Sequence, residues 1–354
     1  MSDETPHPRL TRRLIGHAAA WDQVSEAWKS GRFAHAWLIS GPRGIGKASF
    51  AHLLAKAILT APPPEEGGGL FGPAEPQGLS REIDTAHPAL PRIESGAHPD
   101  MTTVEIGWAD DAMTKRRTEI VVDDVRDVGE FLSLTPAEGG WRIVVIDAAD
   151  EMNRSAANAL LKNLEEPPRR SLLLLLAHNR GRLLPTIRSR CRQLPLAPLS
   201  EAETEEGLTF LLPEETPERR RVLAGMAQGS LGEAVALAHG GGDEIAAGIA
   251  RLLADWPHLD AKALSAFAGE VAKDADRFRL FTVLLGDWVA ATLRRGVGAP
   301  AEGGASGAAL AVPLEQWGEV WEKVNGLFRR AEAVNLDRRH VVLSAFHALV
   351  SPAA

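Results

Sequence analysis

The sequence predicts an α/β domain built on a parallel sheet, followed by an all-helical C-terminal region. Three observations predict it. Between Phe33 and Leu54 a short apolar run, Ala36 to Ile39, leads into Gly41-Pro42-Arg43-Gly44-Ile45-Gly46-Lys47 and then an alanine-rich amphipathic segment, the pattern of strand, glycine loop and helix. Two further apolar runs, Arg142 to Asp147 and Ser171 to Ala177, read as buried strands. Beyond Pro198 only helical patterns recur, among them the long stretches 244–297 and 313–350.

Taken in order, residues 12–31 place Ala19, Trp21, Val24, Ala27 and Trp28 at three- and four-residue spacing, one amphipathic helix ahead of the first strand. The loop matches GxxxxGK for a mechanical reason. Gly41, Gly44 and Gly46 let the backbone turn its amides inward around phosphates, Lys47 adds a point charge, and the helix N-terminus adds a favourable dipole. The pattern departs at the next residue, because the hydroxyl that would ligate magnesium is replaced by Ala48. Ser49 is rotated about 100° around the helix and cannot simply take that role.

After this helix ends near Leu59, the run APPPEEGGGLFGPAEPQG marks residues 61–80 as an exposed, flexible insertion. His87 and His98 each precede a proline, and without partners at metal spacing they read as turns. His98 to Asp100 then turns the chain into a strand near Met101 to Ile106. A helix through Val125, Val128, Phe131 and Leu132 is expected to take Asp123 or Asp124 as N-cap. Asp147 closes its strand at the C-terminal edge, where α/β sheets place ligands, and fits the aspartate that holds magnesium through water. Asp150 and Glu151 read as the start of the helix carrying Ala156, Leu160 and Leu164, which stops at Pro167 and Pro168. His178 and Asn179 end the next strand, and Arg188, Ser189, Arg190 and Cys191 form a compact basic patch. Arginine suits spreading phosphoryl charge; pairing with local carboxylates is the plainer reading. Ser200 to Glu203 is a capping box, and Gly240 to Gly242 reads as a hinge.

With 354 residues there is room for two or three domains, and a net charge of −8 argues against a protein that holds nucleic acid by phosphate contacts alone. No apolar run is long enough for a membrane helix, and MSDETPHPRLTRRLIG lacks a secretory signal's apolar centre, so a cytoplasmic location is expected. The single cysteine, Cys191, excludes an internal disulfide and a multi-cysteine zinc site.

Three stretches, HAWLISGPRGIGK, NALLKNLEEPP and LLPTIRSRCR, in this order, resemble the delta-prime family of bacterial DNA polymerase III clamp-loader subunits, relatives of the AAA+ proteins. The resemblance covers about residues 12–195. It implies a RecA-like AAA+ domain over 1–196, a small helical lid over 197–242 and an all-α collar over 243–354. It further implies gamma/tau and delta subunits as partners, and the sliding clamp and primer-template DNA through the assembled complex. Arg190 would be a finger acting in trans on a neighbouring gamma/tau ATP site. Gly41, Gly44, Gly46, Lys47, Ser49 and Asp147 would form a degenerate nucleotide site that holds ATP or ADP without hydrolysis.

Three departures sharpen this expectation. Many relatives carry four zinc-binding cysteines after the loop helix; here the Pro/Gly insertion stands there, so no zinc is expected. Ala148 follows Asp147 where an ATP-hydrolysing relative has glutamate, and Gly232 follows GSL where active subunits have a nucleotide-contacting arginine. No intrinsic ATPase is therefore expected, although the chain would be part of a DNA-directed DNA polymerase holoenzyme, a nucleotidyltransferase. The alternative is an active ring ATPase of the gamma/tau or branch-migration type, which should fill 148 and 232 with Glu and Arg. A small-molecule P-loop phosphotransferase should instead carry substrate-binding elements inside the α/β core.

Overall fold

A computed structural model describes residues 6–61, 78–108, 117–138, 140–298, 312–334 and 336–350. The chain divides into two compact units, Met1–Glu233 and Ala234–Ala354. Among the described residues the first holds five parallel strands, β1 (Ala36–Ser40), β2 (Met101–Glu105), β3 (Arg142–Asp147), β4 (Ser171–Ala177) and β5 (Arg192–Pro195), in the order β2-β3-β4-β1-β5. Its helices are α1 (Ala18–Lys29), α2 (Lys47–Leu59), α3 (Leu90–Ser95), α4 (Val122–Ser133), α5 (Arg154–Glu165), α6 (Pro185–Arg188), α7 (Glu201–Leu211) and α8 (Pro217–Met226).

The strands lie where the apolar runs place them because helices cover both sheet faces, so successive residues on a central strand are all buried. Leu172, Leu174 and Leu176 of β4 join Trp37 and Ile39 of β1 against Trp21 of α1 and Phe50 and Leu54 of α2. Leu173 and Leu175 point to the opposite face, with Leu38, Val144 and Ile146 against Val128 of α4 and Leu160 and Leu164 of α5. A one-residue slip of any central strand would exchange these two sets, so the sandwich fixes register.

A buried network ties β2 to β3. Asp100, 1% exposed, accepts from the Ala137 and Glu138 amides at 2.8 and 3.1 Å and lies 3.4 Å from the Arg142 guanidinium. Arg142 also donates to Phe131 O and Thr135 O and stacks over the Phe131 ring.

Several details depart from the sequence reading. Residues 62–77 of the insertion lie outside the described residues, but its end is docked rather than exposed: Leu79 is buried, its amide donates to Ser25 Oγ, and its carbonyl accepts from Trp21 Nε1. Neither Asp123 nor Asp124 is the N-cap of α4. That position belongs to Val121, and Asp124 reaches back from inside the helix to accept from the Val121 amide at 2.9 Å. Asp150 and Glu151 stand in a separate 3-10 turn, and Asn153 caps α5 by accepting from the Ala156 amide.

Helix α9 (Leu231–His239) starts at the end of the first unit, and the second continues with α10 (Gly242–Leu253), α11 (Ala261–Ala272), α12 (Ala275–Gly296), α13 (Leu314–Val334) and α14 (Arg338–Val350). Phe281 is fully buried at its centre and packs against Phe267, Phe328 and Phe346. At the glycines expected to form a hinge, a Cβ on Gly240 would meet the Leu280 side chain at 2.1 Å, and one on Gly242 the Leu237 side chain at 2.5 Å.

Candidate functional site

The loop after β1 rises from the C-terminal edge of the sheet, between β4 and β5. The Gly41 amide donates to Ala177 O at 3.1 Å, and a Cβ on Gly41 would strike Leu196 O at 2.4 Å, so the loop must pass here without a side chain. Gly44 and Gly46 hold φ of +74° and +97°, in the range that favours glycine, and Gly46 caps α2. Lys47 is 4% exposed, and its ammonium donates to Gly41 O at 2.8 Å and Pro42 O at 2.5 Å. Burial brings its pKa down to about 8, against the opposing pull of Asp147 and Asp150.

Three strand ends meet around this loop. Asp147, ending β3, has its carboxyl pushed up to about 6 by burial and then by the nearby Glu105. Asp150 accepts from the His178 and Asn179 amides at 2.9 and 2.8 Å, which pins the β3 exit to the end of β4. Glu151 pairs with Arg43 at the crest of the loop. Burial and then the charges of Lys47 and Arg43 hold His178 down at about 4, so its imidazole is neutral at pH 7. Ala148 is 2% exposed and Ala48 is partly buried against the core; neither offers a polar group.

A contact that sequence reasoning missed closes the crest from the other side. The Gly232 amide donates to Gly44 O at 2.9 Å, and Ser230 Oγ donates to Arg43 O at 3.2 Å. A Cβ on Gly232 would come within 3.1 Å of Gly44 Cα. A side chain at 232 would fit here only if the Gly44 backbone gave way by a few tenths of an ångström. The GSLG run was the only available signal, and it does not name its partner.

Beside the crest, a cavity of about 890 Å³ is lined by Ile15, His17, Ser49, Phe50, Leu199 and Phe210, together with Lys47 and Asp147. Its size is that of a small-molecule or cofactor site. His17 Nε2–H donates to Ile45 O at 2.7 Å and so fixes the wall next to the loop. Positive-φ glycines, a buried ammonium and an adjoining cavity fit a nucleotide. The groups that would hold magnesium fit less well, since Asp147 remains but position 48 has no hydroxyl.

The structure places Arg190 away from this group. It precedes β5, whose Arg192 pairs with Trp37 near the start of β1, while the glycine loop leaves from Ser40 at the other end. Those ends are about 10 Å apart along the strand. Arg190 is bound to Glu165 at 2.6 Å and donates to Thr186 O at 3.0 Å, so it pairs with a local carboxylate in the isolated chain. Cys191 beside it is buried, and burial pushes its thiol up to about 12.

A parallel sheet of this order, with a GxxxxGK loop leaving β1 and an acid ending β3, defines an α/β domain of the P-loop kind, followed by helices. The family described as DNA polymerase III, delta subunit, matches residues 16–200, just over half of the chain, and the chain belongs to that family. It is 36% identical over 212 residues to DNA polymerase III subunit delta' of Pseudomonas aeruginosa, covering 59% of this chain and 58% of that protein. It is 35% identical over 222 residues to subunit delta' of Bacillus subtilis, covering 63% and 58%. Identity to subunit tau of Escherichia coli is 32% over 234 residues, 65% of this chain and 32% of that protein. The matches thus span less than two thirds of these relatives' lengths. No described helix is long and apolar enough to cross a membrane.

Proposed function

We propose that this chain is a clamp-loader subunit of the delta-prime kind that does not hydrolyse ATP itself and lends Arg190 to the ATP site of a neighbouring gamma/tau subunit. With gamma/tau and delta it would help place the sliding clamp on primed DNA. The observation that carries the reading is Gly232 itself, which has no side chain to reach a nucleotide and whose amide donates to Gly44 O at 2.9 Å. Ala48 and Ala148 support it, because neither can bind a metal or polarise a water.

The amides of Gly41, Gly44 and Gly46 and the Lys47 ammonium would hold the phosphates of ATP or ADP, with Ser49 and Asp147 nearby. The bound nucleotide would supply charge and contacts that stiffen the crest. Arg190 acts elsewhere: its planar guanidinium would meet charge spreading over a phosphoryl group on the adjoining subunit, after leaving Glu165.

The purified chain should show no ATP turnover above background. In a reconstituted loader, Arg190→Ala should lower turnover at the adjoining site by about 10³-fold or more while the complex still assembles. Unchanged turnover would remove the finger assignment. Retention of Lys47 and Asp147 favours an active ring ATPase as the second reading. Steady hydrolysis by the isolated chain that disappears in Lys47→Ala would establish that reading instead.

A further inference from the structure

The chain contains three His-Pro steps, His7-Pro8, His87-Pro88 and His98-Pro99. Proline has no N–H, and in each case the next amide turns back to the histidine: Nδ1 accepts from the amides of Arg9, Ala89 and Asp100 at 3.2, 3.2 and 3.1 Å. A neutral imidazole whose Nδ1 accepts carries its proton on Nε2. The backbone therefore sets the tautomer, and each ring presents Nε2–H as a donor.

Two of these rings, His7 and His98, line one cavity of about 570 Å³ together with Arg9, His52 and the β2 residues Thr102 and Thr103. His98 and His52 are 4% and 3% exposed, yet His98 Nε2 and His52 Nδ1 have no hydrogen-bond partner. The Glu138 carboxylate faces His98 Nε2 through Oε2 at 3.6 Å, beyond hydrogen-bond distance, while its Oε1 pairs with Arg92 at 2.7 Å. Among the described residues the Arg9 guanidinium enters no ion pair, and Glu105, 3.6 Å from His7 Nε2, is the one carboxylate on the wall. Unpartnered buried polar atoms are costly, and here two converge with a free guanidinium on one polar cavity. Burial first, and then basic neighbours that include Lys56 and Arg9, hold His52 down at about 4, so its ring is neutral at pH 7.

We propose that this cavity is a binding site for a tetrahedral oxyanion of the phosphate class, held by the Arg9 fork and by ring donors from His7, His52 and His98. The fork alone would serve a planar carboxylate; donors arriving from the N-terminal turn, from α2 and from the turn before β2 suit a tetrahedral ion. The site is separate from the glycine loop, and the proposal does not rest on nucleotide binding there.

The test is titration of the full chain carrying Lys47→Ala with inorganic phosphate, followed by calorimetry and by the imidazole NMR signals of His52 and His98. Saturable binding should persist in that background and move both rings. Arg9→Gln should weaken it by about tenfold or more, and Arg9→Lys by less. His52→Asn is the second variant should Arg9→Gln disturb folding, and it should weaken binding in the same direction. Absence of saturable binding, binding that survives Arg9→Gln unchanged, or acetate binding as tight as phosphate would each overturn the proposal.

Discussion

The contact between the crest of the glycine loop and the turn before α9 makes a quantitative prediction through Gly44→Ala. The new Cβ would stand 2.1 Å from Ser230 Oγ in a backbone with φ of +74°. Placing alanine in that left-handed region costs about 1–2 kcal/mol. If Ser230 gives way, its bond to Arg43 O and the one it accepts from the Glu233 amide are lost as well, at about 1 kcal/mol each. The expected loss is about 3 kcal/mol. In a Ser230→Ala background the hydroxyl is gone and only the backbone cost remains, so Gly44→Ala should then cost about 1–2 kcal/mol. The double-mutant cycle should therefore show a coupling of about 1–2 kcal/mol. Because the chain divides into two compact units, and multi-domain chains need not unfold in one step, the probe is placed in the first. Cys191, the only cysteine and buried in that unit, provides it through thiol labelling across a urea series. Costs that add within about 0.5 kcal/mol would refute the contact as a stabilising element.

Labelling should itself follow burial: with its thiol pushed up to about 12, Cys191 should not react in the native protein at pH 8 and should react on unfolding, so rapid native labelling would contradict the packing. Asp147→Asn should raise stability at pH 7.5, because an acid whose folded pKa is raised to about 6 from 3.8 is penalised when ionised. That gain should shrink as pH falls through 6 towards 4, and a less stable variant at pH 7.5 in urea unfolding would reverse the assignment. Asp100→Ala should cost about 3–5 kcal/mol, since it leaves the Arg142 charge and two amides without their buried acceptor; a change below about 1 kcal/mol would show the network to be redundant.

The central strands were legible in the sequence because helices cover both faces of the sheet, so Ile143 to Ile146 and Leu172 to Ala177 had to be unbroken apolar runs. Helix α3 was not legible. Six residues with a proline in the first turn are too few for a period to emerge. At α4 two adjacent acids offered themselves as caps, and only the backbone path decides that Asp124 reaches back from within the helix. For Arg190 the sequence left two readings open; the resting structure shows the ion pair with Glu165 and leaves action in trans to experiment.

The order of residues alone determined that a glycine loop ending in lysine would follow a strand and that the motif's hydroxyl would be missing at 48, while the missing glutamate at 148 and arginine at 232 were read through the family resemblance. The first two follow from local composition, because turns, helix starts and burial write themselves into neighbouring residues. Which surfaces meet does not. Ser230 and Arg43, 187 residues apart, touch only because the sheet brings the loop and the following helices to the same edge. The glycine at 232 was thus visible in the sequence, whereas its partner, the Gly44 carbonyl that accepts its amide at 2.9 Å, belonged to the tertiary structure.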